Sequence, residues 1–337
     1  MPGMARCALK APITTETTEG ETCMLDISVV VPAHNSWHFL QQTLPVLLQE
    51  PVREVIVVSN GCTDGTAQHL RAHFPQVRCV ELPCGNLSAA REYGLRQASG
   101  AFVAFRDADD YVIPGGIALQ HACLQREAGL DLVGGQTIWR VGQQEVRRSH
   151  YWCESDMVHA ACLFQAPLLL CASMLRRERF VTSAWGALYT PAEDWDFVWR
   201  HLQRGLRMGN VPEPVLYYQR HPDSMTAAMA AGNALQDFVS VLRMQFLLQS
   251  GVLLTAEQMR LFVNIAPCEY WALHDVAWLR TVPDVLEATR ALLAQVQRQN
   301  TAVPSEALAR ICAQIESQVA ALPWRQGAAE RNLTAPA

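Results

Sequence analysis

The sequence predicts an α/β protein built on a largely parallel sheet covered on both faces, with an all-helical extension behind it. Three observations carry the prediction. Apolar, β-branched runs alternate with helical spacing from residue 26 to residue 105, the signature of successive βαβ units. The runs are continuous rather than alternating, as suits strands buried on both faces. From about residue 227 the apolar residues recur at helical spacing alone.

Taken in order, residues 1–23 are rich in Thr and Glu and read as a disordered tail, with Met24 a second candidate initiator. Ile27–Val31 is the first strand and ends in the loop Pro32-Ala33-His34-Asn35. A helix from about Trp37 to Gln49 puts Leu40, Leu44, Leu47 and Leu48 on one face. Glu54–Val58 is the second strand, and the turn Ser59-Asn60-Gly61-Cys62-Thr63-Asp64-Gly65-Thr66 follows it. Asp64 or Thr63 is expected to cap a helix running to about Phe74. Strand Val77–Leu82, a helix from Ser88 to Ala98 stopped by Gly100, and strand Phe102–Phe105 complete the alternation. Asp131–Gly135 and Val211–Tyr218 read as further strands, with the charged, aromatic stretch Trp139–Trp152 between them.

Beyond the last strand, Leu235, Phe238, Val239, Leu242 and Phe246 form one apolar stripe. Leu308, Ile311, Ile315, Val319 and Leu322 form another. Such stripes need a partner surface. A helical region packed on the core supplies it, and a homodimer interface is the alternative. Polar faces poor in Lys and Arg leave at most a peripheral membrane role.

The bulk numbers exclude several classes. Half of the 337 residues are apolar and 18% are charged, as in an ordinary soluble core. A net charge of -5 offers no footprint for bulk nucleic-acid binding. The 11 cysteines include no CxxC pair, which disfavours zinc, and their odd number and scatter suit buried thiols in a reducing cytosol. The apolar run Leu163–Leu175 is short for a bilayer span and is interrupted by Gln165 and Pro167. A cytoplasmic protein is expected.

The chemistry concentrates where the fourth strand ends. Phe102–Phe105 runs through Arg106 into Asp107-Ala108-Asp109-Asp110, and open α/β sheets bind ligands at the C-terminal edge of such strands. On a continuing strand Asp107 and Asp109 would share a face, where their charges repel unless a cation lies between them. A hard divalent ion, Mg²⁺ or Mn²⁺, is the natural candidate. The alternative is an acidic turn, since Asp is also a turn residue.

Four motifs in this order and spacing, Pro32–Asn35, Ser59–Thr66, Ala90-Arg91 and Asp107–Asp110, resemble those of family 2 glycosyltransferases. The resemblance covers about residues 26–226. It implies a GT-A type αβα sandwich that binds a nucleotide-sugar, here a UDP-sugar, with Mn²⁺ or Mg²⁺. Pro32, Ala33, Asn35 and Asn60 are then expected around the base and ribose. The family usually places two acids where Ser59-Asn60 stands, so base identity stays open, and Asn60 is equally a turn residue before Gly61. Asp64 matches the loop's other acid and is also a helix cap. Arg91 is expected at the diphosphate, with a surface arginine as the alternative. Asp107 and Ala108 belong to the donor site, Asp107 and Asp109 to the metal, and Asp110 assists. Arg106 replaces a usually apolar residue and either pairs with Asp107 or helps to hold the diphosphate.

Thr190-Pro191-Ala192-Glu193-Asp194 reads as a helix start, with Thr190 the cap and Glu193 closing a capping box. The segment matches the family's E-D motif and implies Asp194 as catalytic base, with Asp196 structural. His221, after Val211–Tyr218, is implied as a third metal ligand. The arginines of Arg176-Arg177-Glu178-Arg179 face an anionic ligand or form a solvated helix face.

The domain division that follows is a tail (1–23), a GT-A domain (24–226), a helical region (227–326) and a flexible end (327–337). The expected activity is inverting transfer of a single sugar to an acceptor hydroxyl. The acceptor, whether a polysaccharide precursor, lipid-linked glycan, small molecule or protein, is left open. A non-catalytic nucleotide-sugar-binding protein and a nucleotidyltransferase are the alternatives.

Overall fold

The computed structural model describes residues 24–83, 85–182, 185, 192–224, 227, 234–265 and 276–321. Contacts divide the chain into two compact units, each discontinuous in sequence. The first is drawn from Met1–Cys153, Leu168–Ala187 and Arg207–Arg220, the second from Glu154–Pro167, Leu188–Leu206 and His221–Ala337.

The first unit is a nine-stranded sheet of β1 (Leu25–Ala33), β2 (Val52–Asn60), β3 (Arg78–Leu82), β4 (Phe102–Phe105), β5 (Tyr111–Val112), β6 (Leu132–Val141), β7 (Gln144–Arg148), β8 (Ser173–Arg176) and β9 (Met208–Gln219). The order is β3-β2-β1-β4-β8-β6-β9-β5, with β7 on β6. The expected parallel core is present, since β1 pairs in parallel with both β2 and β4, and β2 with β3. Ile27, Val29 and Val30 of β1 are fully buried, on both faces of the strand. Antiparallel pairing enters at β8, which runs against β4 and β6, so the sheet is mixed beyond β4.

Helices α1 (Trp37–Leu47), α2 (Thr66–His73), α3 (Leu87–Gln97) and α4 (Gly116–Arg126) connect the strands, and the short α6 (Arg177–Phe180) follows β8. Leu40, Leu44 and Leu47 bury the predicted face of α1. Helix α3 lies so close to the sheet that a Cβ on Gly94 would come within 2.3 Å of Val30 Cγ1, and only glycine allows that approach. The expected cap of α2 is displaced by one residue. Gly65, left-handed at φ 78°, occupies the N-cap, and Asp64 precedes it.

The second unit is helical among its described residues. It includes α5 (Ser155–Ala161), α7 (Glu193–Gln203) and the helices Ala234–Gln249, Ala256–Ile265, Val276–Leu279, Val285–Gln299 and Ser305–Ala320. Its core is aromatic. Trp199 stacks on Phe246 at 4.6 Å, Trp195 meets the same ring edge-on at 5.7 Å, and Phe164 packs on Phe262. The predicted stripes are buried where described. Val239, Leu242 and Phe246 form part of one, and Leu308, Ile311, Ile315 and Val319 part of the other. The side chains of Leu235, Phe238 and Leu322 lie outside the described residues, as do the tails 1–23 and 327–337. No described helix is long and apolar enough to cross a membrane.

Candidate active site

Strands β1, β2 and β4 run parallel, so the loops after them share one edge of the sheet. Three of the βα loops are tied by specific hydrogen bonds. Asn35, left-handed at φ 50°, accepts the amides of Thr63 (2.7 Å) and Asp64 (3.3 Å) on its side-chain oxygen. Short Asn is one of the few residues that tolerates that backbone. Cys62 Sγ donates to Ala33 O, and His34 Nδ1 contacts Asn60 O at 2.7 Å. Buried Asn60 reaches the third loop, donating to Asn86 O at 3.1 Å, while Asn86 caps α3 by accepting the Ala89 amide. Pro32 is buried in β1 opposite Val58.

Asp64 binds three donors, the Thr66 amide (3.0 Å), the Thr66 hydroxyl (2.6 Å) and the Trp37 amide (3.2 Å). Burial works to raise its pKa, but these hydrogen bonds together hold it below the ordinary value. Asp64 therefore joins the starts of α1 and α2 without being the N-cap.

At the end of β4 the chain turns instead of continuing as a strand, and the Asp110 amide donates back to Asp107 O at 3.3 Å. Asp107 and Asp109 thus owe their placement to a turn, not to a shared strand face. Ala108 is buried, and its carbonyl accepts the Thr43 hydroxyl of α1 at 2.9 Å. Arg91 is not the exposed arginine that its helix position allows. Its side chain is 4% exposed and bonds Asp107 Oδ1 at 2.9 Å, with the Asp107 carboxylate still 26% exposed. The pair brings α3 and the β4 turn together.

Arg106 corrects both expectations held for it. It is fully enclosed and donates to the carbonyls of Phe105 (2.5 Å), Cys171 (3.4 Å) and Ser173 (3.2 Å) and to Gln120 Oε1 (2.8 Å). Burial pulls its pKa down to about 10, so the cation persists at neutral pH. Its work is to hold the segment around Cys171 against β4.

That segment completes a cluster the sequence did not disclose. Ligand atoms of Asp107, Asp110 and Cys171 all lie within 4.8 Å of one another, the three-residue metal-capable group found among the described residues. Asp110 is buried and accepts the Gln219 amide at 2.9 Å. Burial, reinforced by the charges of Asp109 and Asp107, pushes its carboxyl well above the usual range. A dication at this turn would relieve that concentration of negative charge, and the carboxylate oxygens suit Mg²⁺ or Mn²⁺. The residues fit a divalent metal. No sequence signal pointed to Cys171, which sits inside an apolar run far along the chain.

In the second unit, α7 begins at Glu193 with left-handed Ala192 at its N-cap. The expected capping box is therefore out of register, and Thr190 and Pro191 lie outside the described residues. Asp194 is in the first turn and accepts the Trp195 amide at 2.7 Å, where the helix dipole favours a carboxylate. Asp196 is buried and pairs with Arg200 at 2.7 Å. The His221 carbonyl accepts the Ser224 amide. Arg176 turns inward, while Glu178 and Arg179 stay exposed on the short helix after β8. Arg176 donates to Leu130 O at 2.8 Å, and Arg179 pairs with Asp131 at 2.8 Å.

A parallel sheet whose βα loops carry carboxylates at one edge is the framework of GT-A glycosyltransferases, and known structures share it. Residues 1–349 of TarS from Staphylococcus aureus, in complex with UDP-GlcNAc, superpose with a TM-score of 0.55 at 18% identity, covering 90% of this chain and 93% of that one. The mannosyltransferase PcManGT of Pyrobaculum calidifontis, with GDP-Man and Mn²⁺, gives 0.51 at 18% identity, covering 91% and 84%. Residues 28–162, about two fifths of the chain, match the family described as glycosyl transferase family 2. Among curated relatives, the uncharacterized glycosyltransferase EpsJ of Bacillus subtilis is 31% identical over 91 residues, 26% of each protein. The matched stretch thus spans about a quarter of that relative.

Proposed function

We propose that this protein is an inverting, metal-assisted glycosyltransferase that moves one sugar from a nucleotide-sugar, a UDP-sugar in our reading, to an acceptor hydroxyl. The observation that carries the reading is the enclosed Arg91 paired with the partly exposed Asp107 at the end of β4, within the stretch that matches family 2. An arginine enclosed beside a partly exposed carboxylate is held in place for an anionic ligand, and a guanidinium suits diphosphate oxygens. The tied loops of Pro32, Ala33, Asn35, Asn60 and Asp64 give a rigid wall for base and ribose, and Asp107 and Ala108 line the donor site. Donor complexes of the two structural neighbours, with UDP-GlcNAc and GDP-Man, support a nucleotide-sugar.

Asp107, Asp109 and, by family resemblance, His221 would hold the metal, with Asp110 in support. The metal would offset charge on the departing diphosphate. Asp194 would act as general base, accepting the acceptor hydroxyl's proton as that oxygen attacks the anomeric carbon from the face opposite the leaving group. Arg91 would hold the diphosphate and steady charge developing on it.

Thermal unfolding with a panel of nucleotide-sugars, with and without Mn²⁺, tests the reading, because a ligand of the folded state raises its midpoint. One donor is expected to give a Mn²⁺-dependent rise that Asp109→Ala abolishes and Asp194→Ala retains. Asp194→Ala should lower transfer by about a thousandfold or more. Absence of any donor-dependent rise, or full transfer by Asp194→Ala, overturns the proposal.

A further inference from the structure

The hairpin of β6 and β7, together with the end of β9, builds a cationic, aromatic surface that the roles above leave unused. Trp139 of β6 faces Arg147 of β7 on one side in the register and Tyr218 of β9 on the other. The guanidiniums of Arg147 and Arg220 lie over the Trp139 ring at 5.3 and 5.8 Å, and that of Arg140 lies over Tyr217 at 3.3 Å. Trp139 is 4% exposed, and its indole N–H donates to Thr137 Oγ1 at 3.0 Å, so the platform is rigid. The Arg220 amide donates to Arg140 O at 2.8 Å and fixes the end of β9 against β6. Guanidiniums stacked on aromatic faces have given up much of their rotamer freedom in advance.

The charge is unbalanced in a chain that is acidic as a whole. Residues 139–148 and 217–220 hold four arginines and one acid, against a chain total of -5. The acid, Glu145, is shared between Arg148 at 3.2 Å and Arg140 at 3.6 Å, and the Arg148 side chain is 62% exposed. The surface also adjoins the carboxylate turn. Gln219, which donates to Asp110, directly precedes Arg220, and Tyr217 pairs with Tyr111, which directly follows Asp110.

We infer that this surface receives the acceptor, and that the acceptor is a glycan bearing carboxylate or phosphate groups. The inference rests on the glycosyl-transfer reading and names its acceptor class. Guanidinium forks match carboxylate and phosphate oxygens, and the rings beneath them hold those forks in place. A neutral acceptor would make no use of this charge. A membrane surface is the weaker match, because exposed large apolar side chains on the hairpin are limited to Val141 and Val146, too little for stable anchoring.

Binding of oligogalacturonate, polyphosphate and neutral dextran to the full chain tests this, with phosphatidylglycerol vesicles as a further arm. At least one charged oligomer is expected to bind, more weakly as salt rises, with dextran much weaker. The Arg148→Ala/Arg220→Ala pair should weaken charged-oligomer binding by about tenfold or more, with the donor-induced thermal shift intact. Arg220→Lys, which keeps the charge and loses the fork, should fall between and guards against a variant that misfolds. Equal binding of dextran, no binding of either charged oligomer, or unchanged binding by the variants overturns the inference. Binding to vesicles alone overturns it in favour of membrane docking. Charged-oligomer binding without any donor shift leaves this surface standing and removes the catalytic reading instead.

Discussion

Both units bury rings and charges, but they gather them differently. The sheet unit encloses charge, with Arg106 surrounded by carbonyls, Arg91 against Asp107, and Asp110 under the Gln219 amide. The helical unit encloses rings, with Trp195, Trp199, Phe246 and Phe262 at its centre and the imidazole of His201 fully covered. It also encloses Arg243, set over the Trp195 ring, and Asp196 of α7, which pairs with the partly exposed Arg200. Enclosed charge is costly to desolvate and is a poor route to stability. Its concentration around one turn of the sheet unit is therefore best read as positioning for ligand chemistry, whereas the ring core of the helical unit is read as packing.

Truncating each kind of group breaks or sharpens this contrast. The largest effect is expected from Trp199→Ala, which empties the stack on Phe246 and removes the indole N–H that Gln249 accepts at 2.5 Å. Denaturant unfolding should show a loss of about 3–5 kcal/mol. A loss below about 1 kcal/mol would mean that the ring core is not what stabilises this unit.

Arg106→Met comes next. It keeps the volume but removes the donor from three carbonyls and from Gln120, at an expected cost of about 2–4 kcal/mol. The same variant should weaken Mn²⁺ binding, read as a smaller thermal shift, because the Cys171 segment loses its tether. A more stable Arg106→Met protein with an unchanged Mn²⁺ shift would make the buried cation dispensable.

The smallest effect is a pH dependence of the helical unit. Burial lowers the pKa of both His159 and His201 to about 4, from an ordinary 6.5. For His201 the neighbouring Arg200 and Arg204 charges add to the shift, while its hydrogen bond to Phe197 O opposes it. Asp156 opposes it at His159. The unfolded chain therefore takes up protons first as pH falls. Stability is complete above about pH 6.5 and declines toward pH 4, by roughly 1–3 kcal/mol. Burial raises the Asp196 pKa despite Arg200, which works in the opposite sense at the acid end of that window. Unfolding midpoints of His201→Gln measured from pH 7 to pH 4.5 should show a shallower decline. An unchanged slope would remove His201 from the account.

Much of the sheet unit was legible because its signals are local. The continuous apolar runs of β1, β2 and β4 and the helical spacing of α1 and α3 follow from burial and periodicity within a few residues. The motifs after β1, β2 and β4 could be read for the same reason, since a parallel sheet brings successive βα loops to one edge. Helix starts were less secure. The caps of α2 and α7 each moved because a left-handed residue, Gly65 or Ala192, could take the N-cap position, and cap preferences are weak beside tertiary constraints.

What the sequence determined by itself was the alternation that builds the sheet, the all-helical region after it, and the carboxylate turn at the end of β4. Tertiary structure alone decided which partners those carboxylates meet. Arg91 could have faced solvent from α3, yet packing closes it over Asp107. Arg106, adjacent in sequence to the acids, turns inward to carbonyls, and Cys171 arrives beside Asp107 and Asp110 from a distant apolar run. The physical reason is that periodicity specifies which face of an element is buried, whereas the partner of a buried polar group depends on strand order and register.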